Sequence, residues 1–350
     1  MGTLRYIGSK SRITPAILDL VGPPDSRRRG AFVDLFAGTG VVSREAALRG
    51  WEVHASDHLL SSTAITTAQL VSAVDVPFTS FGGYVAALAE LNEARGKKGF
   101  IYREYAPSGQ SRTGHSRRYF TTENGARVDG MRSLINQWSV WGRITETEER
   151  LLIADLLLAA NSVANIAGTY GCFLRNWTSP SRRPVELRPR PLLPCRRKFN
   201  VLTRDAFEVH VSQHDVVYLD PPYTKRQYAA YYHILETITI GDSPTVGGVT
   251  GLRPWEEKSS LFCYKREALK AMTRLIDRIP AHRVFISYSS EGHMDLRELQ
   301  EAASSFGSVK VHSIGKIGRY RPNKTARENG DEVSEYVVAI ERRNRLAAAG

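Results

Sequence analysis

Hydrophobic and polar positions change their pattern twice along the chain. Ala31–Phe36 (AFVDLF) is a short apolar run and predicts a buried strand leading into a glycine-containing turn. Val41–Arg49 then follows helical spacing, Trp51–Ser56 predicts a second strand with Asp57 at its end, and Ser61–Ala73 a further helix. Strand, helix and strand in that order predict parallel pairing through a right-handed crossover. The middle of the chain differs. Gly99–Arg127 is polar and rich in Gly, Ser and Arg, while Asp129–Trp138 and Glu146–Asn165 carry helical periodicity. Arg175–Lys198 holds five of the 16 prolines, which predicts an extended course. Strand patterns return at Phe199–Leu202, Val216–Leu219 and His282–Ser287, with a helix at Lys265–Ile279. Val309–Ile314 and Ser334–Glu341 alternate and predict an antiparallel pair across a basic loop.

The expected fold class is α/β. A mostly parallel sheet with an antiparallel C-terminal hairpin is interrupted by a mainly helical insertion. Residues 1–75 and 196–345 form the discontinuous α/β domain, and residues 76–195 the insertion. Residues 1–75 alone supply two strands, too few to bury a core.

Composition adds placement rather than class. A chain of 350 residues, 42% hydrophobic and 24% charged, is ordinary for a soluble globular protein. The most apolar stretch, Leu151–Phe173, is broken by Asp155, Asn161 and Asn165, so a buried helix is expected there and not a membrane span. The N-terminal MGTLRYIGSKSR has no apolar core behind its charges, so no signal peptide is expected. Cys172, Cys195 and Cys263 form no CxxC pair and fit a reducing, cytoplasmic setting. No His/Cys/Asp cluster has metal spacing, and no metal is expected. The net charge of +12 is concentrated: Lys97–Arg118 carries net +5 and Arg175–Lys198 net +7. Two basic blocks in the middle third suit a polyanion such as double-stranded DNA, with solvated loops as the plainer alternative. Arg112, Arg117, Arg118, Arg182 and Arg183 are the candidate phosphate contacts.

Two motifs carry chemistry. In Asp34-Leu-Phe-Ala-Gly-Thr-Gly40, glycines of a strand-to-helix turn admit a ligand close to the backbone, and the following helix start offers free N–H groups. Asp57, at the end of the next strand, can hydrogen-bond both hydroxyls of a ribose. Nicotinamide dehydrogenases use a related arrangement, but the full G-x-G-x-x-G is absent. In Asp220-Pro-Pro-Tyr223, two prolines enforce a stiff turn directly after the apolar run Val216–Leu219. Asp220 and the carbonyl of Pro221 can accept the two hydrogens of an exocyclic amino group, while Tyr223 stacks on the ring that bears it. Pro222 completes the turn.

FVDLFAGTG followed by DPPY, in that order and across a long basic insertion, resembles the Dam-like N6-adenine DNA methyltransferases of the alpha group. Arg5-Tyr-Ile-Gly-Ser-Lys10 matches their N-terminal motif. Segments beginning at Arg118, Asn165, Tyr231 and Ile286 look like the FokI-type restriction–modification methylases. The resemblance spans Leu4 to about Glu341. It implies a class I S-adenosylmethionine-dependent methyltransferase sheet of Rossmann-like type and a target-recognition role for the insertion. It also implies a cofactor, S-adenosylmethionine. Tyr6, Lys10, Asp34, Phe36, Ala37, Gly38 and Gly40 would surround its methionine part, Asp57 its ribose, and Asp205 and Ala206 its adenine. Asp220, Pro221, Pro222 and Tyr223 would hold the target adenine, extruded from the duplex. Two departures stand out: Ser9 where many relatives have Gly, and Ala206 where some have Phe, which passes ring stacking to Phe207 or elsewhere. Transfer to cytosine or RNA, or a catalytically silent DNA-binding module, are the other readings. A partner restriction enzyme and the oligomeric state are left open. So are Tyr170 and Asn176, between target pocket and core, and the loop Gly315–Asp331, between DNA contact and solvated hairpin. His233 and His293 are more simply structural.

Overall fold

The structure is a computed structural model that describes residues 8, 10–25, 30–107, 114–318 and 332–342. By contact density the chain divides into two compact units. The first is Met1–Gly8 with Leu59–Arg196 and Tyr228–Lys258; the second is Ser9–His58 with Arg197–Gln227 and Ser259–Gly350. Compactness therefore divides the chain at other positions than composition does. The predicted insertion lies inside the first unit, which also takes the helix Leu60–Leu70 and the segment Tyr228–Lys258.

The second unit contains every strand of the described residues: β1 (Phe32–Asp34), β2 (Val53–Asp57), β3 (Phe199–Thr203), β4 (Val216–Leu219), β5 (Arg283–Ser289), β6 (Gly307–Gly318) and β7 (Glu332–Arg342). They form one seven-stranded sheet in the order β3-β2-β1-β4-β5-β7-β6. The first five in that order pair parallel, and β7 pairs antiparallel with both β5 and β6. Parallel strands covered on both faces need apolar side chains on both, which is why β1 and β4 are buried at every position. One core cluster joins Val33, Val217, Leu219, Val284 and Ile286 of the central strands, with Leu35 just past β1, to the helix Ala268–Arg278. That helix presents Ala268, Ala271, Met272, Leu275 and Ile276 to the core, a one-sided helical stripe. Helix Leu296–Ser304, absent from the sequence reading, is started by Asp295, whose carboxylate accepts from the N–H groups of Arg297 and Glu298. The predicted hairpin is present, with a register shift between Ser313 and Gly315. This is the α/β sheet of the class I S-adenosylmethionine-dependent methyltransferases, as expected.

The first unit is helical among the described residues. Its longest helices are Thr122–Val140 and Glu146–Val163. The second begins at a capping box: Glu148 N–H donates to Thr145 Oγ1, and the Glu148 carboxylate accepts from Thr145 N–H. Trp138, Tyr105, Tyr119 and Tyr170 are fully buried in this unit. No helix of the described residues is long and apolar enough to cross a membrane. His233 is buried here between the edges of Tyr105 and Tyr119, its Nε2 is 3.1 Å from the carbonyl oxygen of Tyr170, and burial pulls its pKa down to about 4.

Candidate functional site

The sheet order makes β1 a switch point, because the chain runs from β1 outward through β2 to β3 on one side and then crosses back to β4 on the other. Open α/β sheets bind ligands outside the carboxyl ends of the strands at such a point. Four acids occupy that edge on four adjacent strands. Asp34 ends β1, Asp57 ends β2, Asp205 stands two residues past β3, and Asp220 follows β4 directly.

Asp34 is buried. Its Oδ2 accepts from Ser43 Oγ at 2.7 Å and its Oδ1 from Phe36 N–H at 3.4 Å, which ties the turn to the helix Val41–Leu48. Gly38 and Gly40 have φ of 54° and 71°, a left-handed backbone where a side chain would be strained. The turn is held to β2 by Ala37 N–H on the Ser56 carbonyl (3.0 Å) and by Gly38 N–H on Asp57 Oδ2 (2.9 Å). Asp205 starts the short 3-10 turn Ala206–Glu208, its Oδ1 accepting from Phe207 N–H at 2.9 Å. The half-buried ring of Phe207 stacks against Phe262, which meets Phe36 edge-on.

The proline turn is braced from behind. Tyr223 packs edge-on against Tyr288 of β5, and its carbonyl accepts from His293 N–H at 2.9 Å. Tyr288 Oη in turn accepts from Met294 N–H, and a Cβ at Gly292 would come within 2.1 Å of that oxygen, so only glycine fits there. Among the described residues no hydrogen bond is donated to the Pro221 carbonyl.

Lys10 reaches this turn from the start of the helix Thr14–Val21, where its carbonyl accepts from the N–H groups of Ile13 and Thr14. Its side chain is 3% exposed. Nζ donates to Glu335 Oε2 at 3.2 Å and to Tyr223 Oη at 3.3 Å. It also lies 3.3 Å from Asp220 Oδ1, within ion-pair reach, yet that buried oxygen has no hydrogen bond. Lys10 is thus shared by two acids, buried Glu335 and largely buried Asp220, while buried Asp34 pairs with no cation among the described residues. Burial pushes Asp34 up to about 7, aided by Asp220 and opposed by Ser43. Burial raises Asp220 to about 6, with Lys10 pulling it down and Glu335 pushing it up. Burial also raises Glu335. The same burial works against the Lys10 ammonium, but Asp220, Tyr223 and Glu335 outweigh it and hold the lysine above its ordinary range.

A sequence profile of the D12 class N6 adenine-specific DNA methyltransferases matches residues 6–296. The chain belongs to this family. Type II methyltransferase M.FokI of Planomicrobium okeanokoites is 30% identical over 97% of the chain and 53% of its own length. Modification methylase StsI of Streptococcus sanguinis is 29% identical over 97% of the chain and 52% of its own length. Type II methyltransferase M.NlaIII of Neisseria lactamica is 31% identical over 97% of the chain and 99% of its own length. The chain thus spans about half the length of the first two of these relatives and nearly all of the third.

Most expected site residues of the chain occupy the carboxyl edge of its sheet: Lys10, Asp34, Phe36, Ala37, Gly38, Gly40, Asp57, Asp205, Ala206 and Asp220 to Tyr223. Tyr6, Ser9, Arg112 and the 319–331 part of the Gly315–Asp331 loop lie outside the described residues. Arg117 requires a correction. It was expected on a DNA-facing surface, but it is fully buried. Its guanidinium donates to the Glu104 carboxylate at 2.9 Å and to the carbonyls of Glu104, Gly248 and Val249. A cation so enclosed, with four of its five hydrogens donated to these groups, is closed off from a phosphate. Arg118, Arg182 and Arg183 are exposed. Tyr170 is fully buried and donates to Asn161 Oδ1, whereas Asn176 is exposed.

Sequence reasoning missed Glu335, Ser43 and Tyr288. Glu335 had a signal. It shares strand parity with Val333 and Val337, both buried, so its side chain had to point inward with them. In the helical unit a cavity of about 390 Å³ is lined in part by Lys97, Lys98, Arg103 and Arg132. Its acids are engaged: Asp129 accepts from the N–H groups of Ile101 and Tyr102, and Asp242 pairs with Arg253. Arg132 donates to the carbonyls of Ile238, Thr239 and Ile240, and no carboxylate of the described residues pairs with it. No group of His, Cys, Asp and Glu among the described residues could hold a metal ion.

Proposed function

We propose that this chain transfers the methyl group of S-adenosylmethionine to the N6 amino group of adenine at a specific site in duplex DNA. It would do so in the cytoplasm, within a restriction–modification system. The observation that carries the reading is the row of carboxylates Asp205, Asp57, Asp34 and Asp220 along one sheet edge, ending at a rigid Asp-Pro-Pro-Tyr turn.

The residues present suit the cofactor. Its sulfonium and ammonium are cations, and the site holds more buried acid than Lys10 balances. The left-handed Gly38 and Gly40 leave backbone open to the methionine part, with Lys10, Phe36 and Ala37 around it. Tyr6 is assigned there by resemblance alone. Asp57 would take the ribose hydroxyls. Only Oδ1 of Asp205 is engaged among the described residues, which leaves Oδ2 for the adenine amino group beside Ala206 and Phe207. When bound, the cofactor supplies an electrophilic methyl on a cationic sulfur.

The protein's own work is positioning. A target adenine must leave the stack, at a cost of a few kcal/mol. Tyr223 would stack on it. The Asp220 carboxylate and the Pro221 carbonyl would accept its two amino hydrogens, which draws the nitrogen lone pair out of the ring and aims it at the methyl group. Pro221 and Pro222 keep these acceptors fixed, so little reorganisation is needed during transfer.

The helical unit would bind the DNA. The cavity around Arg132 offers cations without a paired acid and suits a backbone phosphate, and exposed Arg118, Arg182 and Arg183 add further contacts that fix register without reading sequence. Arg112 belongs to the same basic block. The decisive experiment incubates the purified chain with tritiated S-adenosylmethionine and duplex DNA, then separates the nucleosides. Label in N6-methyldeoxyadenosine is expected. Label in cytosine, or none, refutes the reading.

A further inference from the structure

Lys10 has three hydrogens and three oxygen neighbours, yet it does not serve them equally. Glu335 Oε2 and Tyr223 Oη receive hydrogen bonds, while Asp220 Oδ1, at a similar 3.3 Å, does not. The Asp220 side chain is 16% exposed although Oδ1 is sealed, so what it shows to solvent is the rest of the carboxyl group. Glu335 is itself buried, on β7, where it pairs in register with Ser289 at the end of β5. A buried acid on the last strand is costly unless its charge is used.

We propose that Glu335 is a positioning residue for the transfer step. By taking a hydrogen of Lys10 it divides the ammonium between two acids, so that the Asp220 carboxylate is not wholly engaged by the lysine and keeps its acceptor capacity for the target amino group. This rests on the methyl-transfer reading above. Without Glu335, the ammonium would turn fully onto Asp220, tightening the ion pair that already spans 3.3 Å, and the carboxylate would be a poorer acceptor.

Other charged and titratable groups face the same cluster. Asp34 on β1 and Tyr218 on β4 sense Asp220, Tyr223 faces Lys10, and Glu291 after β5 opposes Glu335. None of them is removed by the substitutions below. Glu335 raises the proton affinity of Asp220 and Lys10 lowers it. Loss of Glu335 removes the first influence and strengthens the second, so both changes push Asp220 the same way.

The test uses Glu335→Ala and the isosteric Glu335→Gln in the full chain, with two readouts. In the unliganded protein, ¹³C-NMR titration of the Asp220 carboxyl is expected to move to lower pH in both variants. In turnover, kcat is expected to fall about tenfold or more, with the acid limb of the kcat profile displaced to lower pH and the cofactor Kd changed less than threefold. If Glu335→Ala does not fold, Glu335→Gln carries the test. An unmoved Asp220 titration in a folded variant overturns the proposal, as does an unmoved acid limb with wild-type kcat. A purely structural Glu335 would lower Tm and move neither. If the wild-type chain transfers no methyl group while the titration moves as expected, the methyl-transfer reading fails and the Lys10–Glu335–Asp220 coupling stands.

Discussion

In the helical unit, Arg117 meets Glu104 at 2.9 Å and Arg190 meets Asp155 at 2.7 Å, each buried cation with one buried acid. The leftover bonding capacity is largely used as well: Arg117 also donates to backbone carbonyls, and the second oxygen of Asp155 accepts from Tyr84 Oη at 2.7 Å. At the sheet edge of the α/β unit, one lysine serves two acids, and a third, Asp34, has no cation among the described residues. The comparison separates two uses of buried charge. Matched pairs tie distant segments together, since Glu104 and Arg117 anchor the turn at Gly248 while Asp155 anchors the extended segment around Arg190. Unmatched acids hold a site at a cost in stability, which a cationic ligand can relieve.

Asp220→Ala tests the unmatched side most severely. It should lower the transfer rate by about a thousandfold, the scale of losing a positioned polar group at the reacting atom, while cofactor binding survives in part. Rapid-quench transfer and equilibrium dialysis measure the two separately. Asp155→Ala tests the matched side. It leaves Arg190 without its acid and should cost about 3–5 kcal/mol in urea unfolding, whereas the double substitution Asp155→Leu with Arg190→Met should cost much less.

The pH response tests the unmatched acid Asp34 directly. Asp34 rises from 3.8 to about 7 on folding, so its contribution to stability is fully present below about 4 and is lost as pH climbs toward 7. Asp34→Asn should therefore raise the Tm of the unliganded protein by a few degrees at pH 8 and by less at pH 5, measured by calorimetry. A larger gain at pH 5 would mean that the acid is not strained. The smallest effect concerns the cavity cations. Lys97→Ala with Lys98→Ala should reduce the slope of log Kd for DNA against log salt by about 2, with little change in kcat.

Much of the α/β unit was legible because its signals are local. Val216–Leu219 followed by Asp-Pro-Pro-Tyr places a strand, its end and its rigid turn within eight residues. Asp34 and Asp57 were readable for the same reason, as the last residues of short apolar runs. Arg117 was misread because a charge count carries no direction. It stands next to exposed Arg118, yet the partners that bury it, at Gly248 and Val249, come 131 and 132 residues later. Helix Leu296–Ser304 was missed although Asp295 and Glu298 mark its start, because it follows a glycine-containing turn that reads as loop. The segment Tyr228–Lys258 joins the helical unit through contacts that no window of sequence contains.

The strand order β5-β7-β6 has a consequence for synthesis. Glu335 meets Lys10 across 325 residues, on a strand that enters the sheet between two earlier ones. At about 5–20 residues per second, roughly 15 to 65 seconds separate the emergence of the lysine from that of its partner. Until then the ammonium lacks the acid that shares it, and β5 has a bare edge. A growing chain with every upstream motif already made would still lack this shared ammonium, and the ribosome's pace would set when the sheet edge is complete.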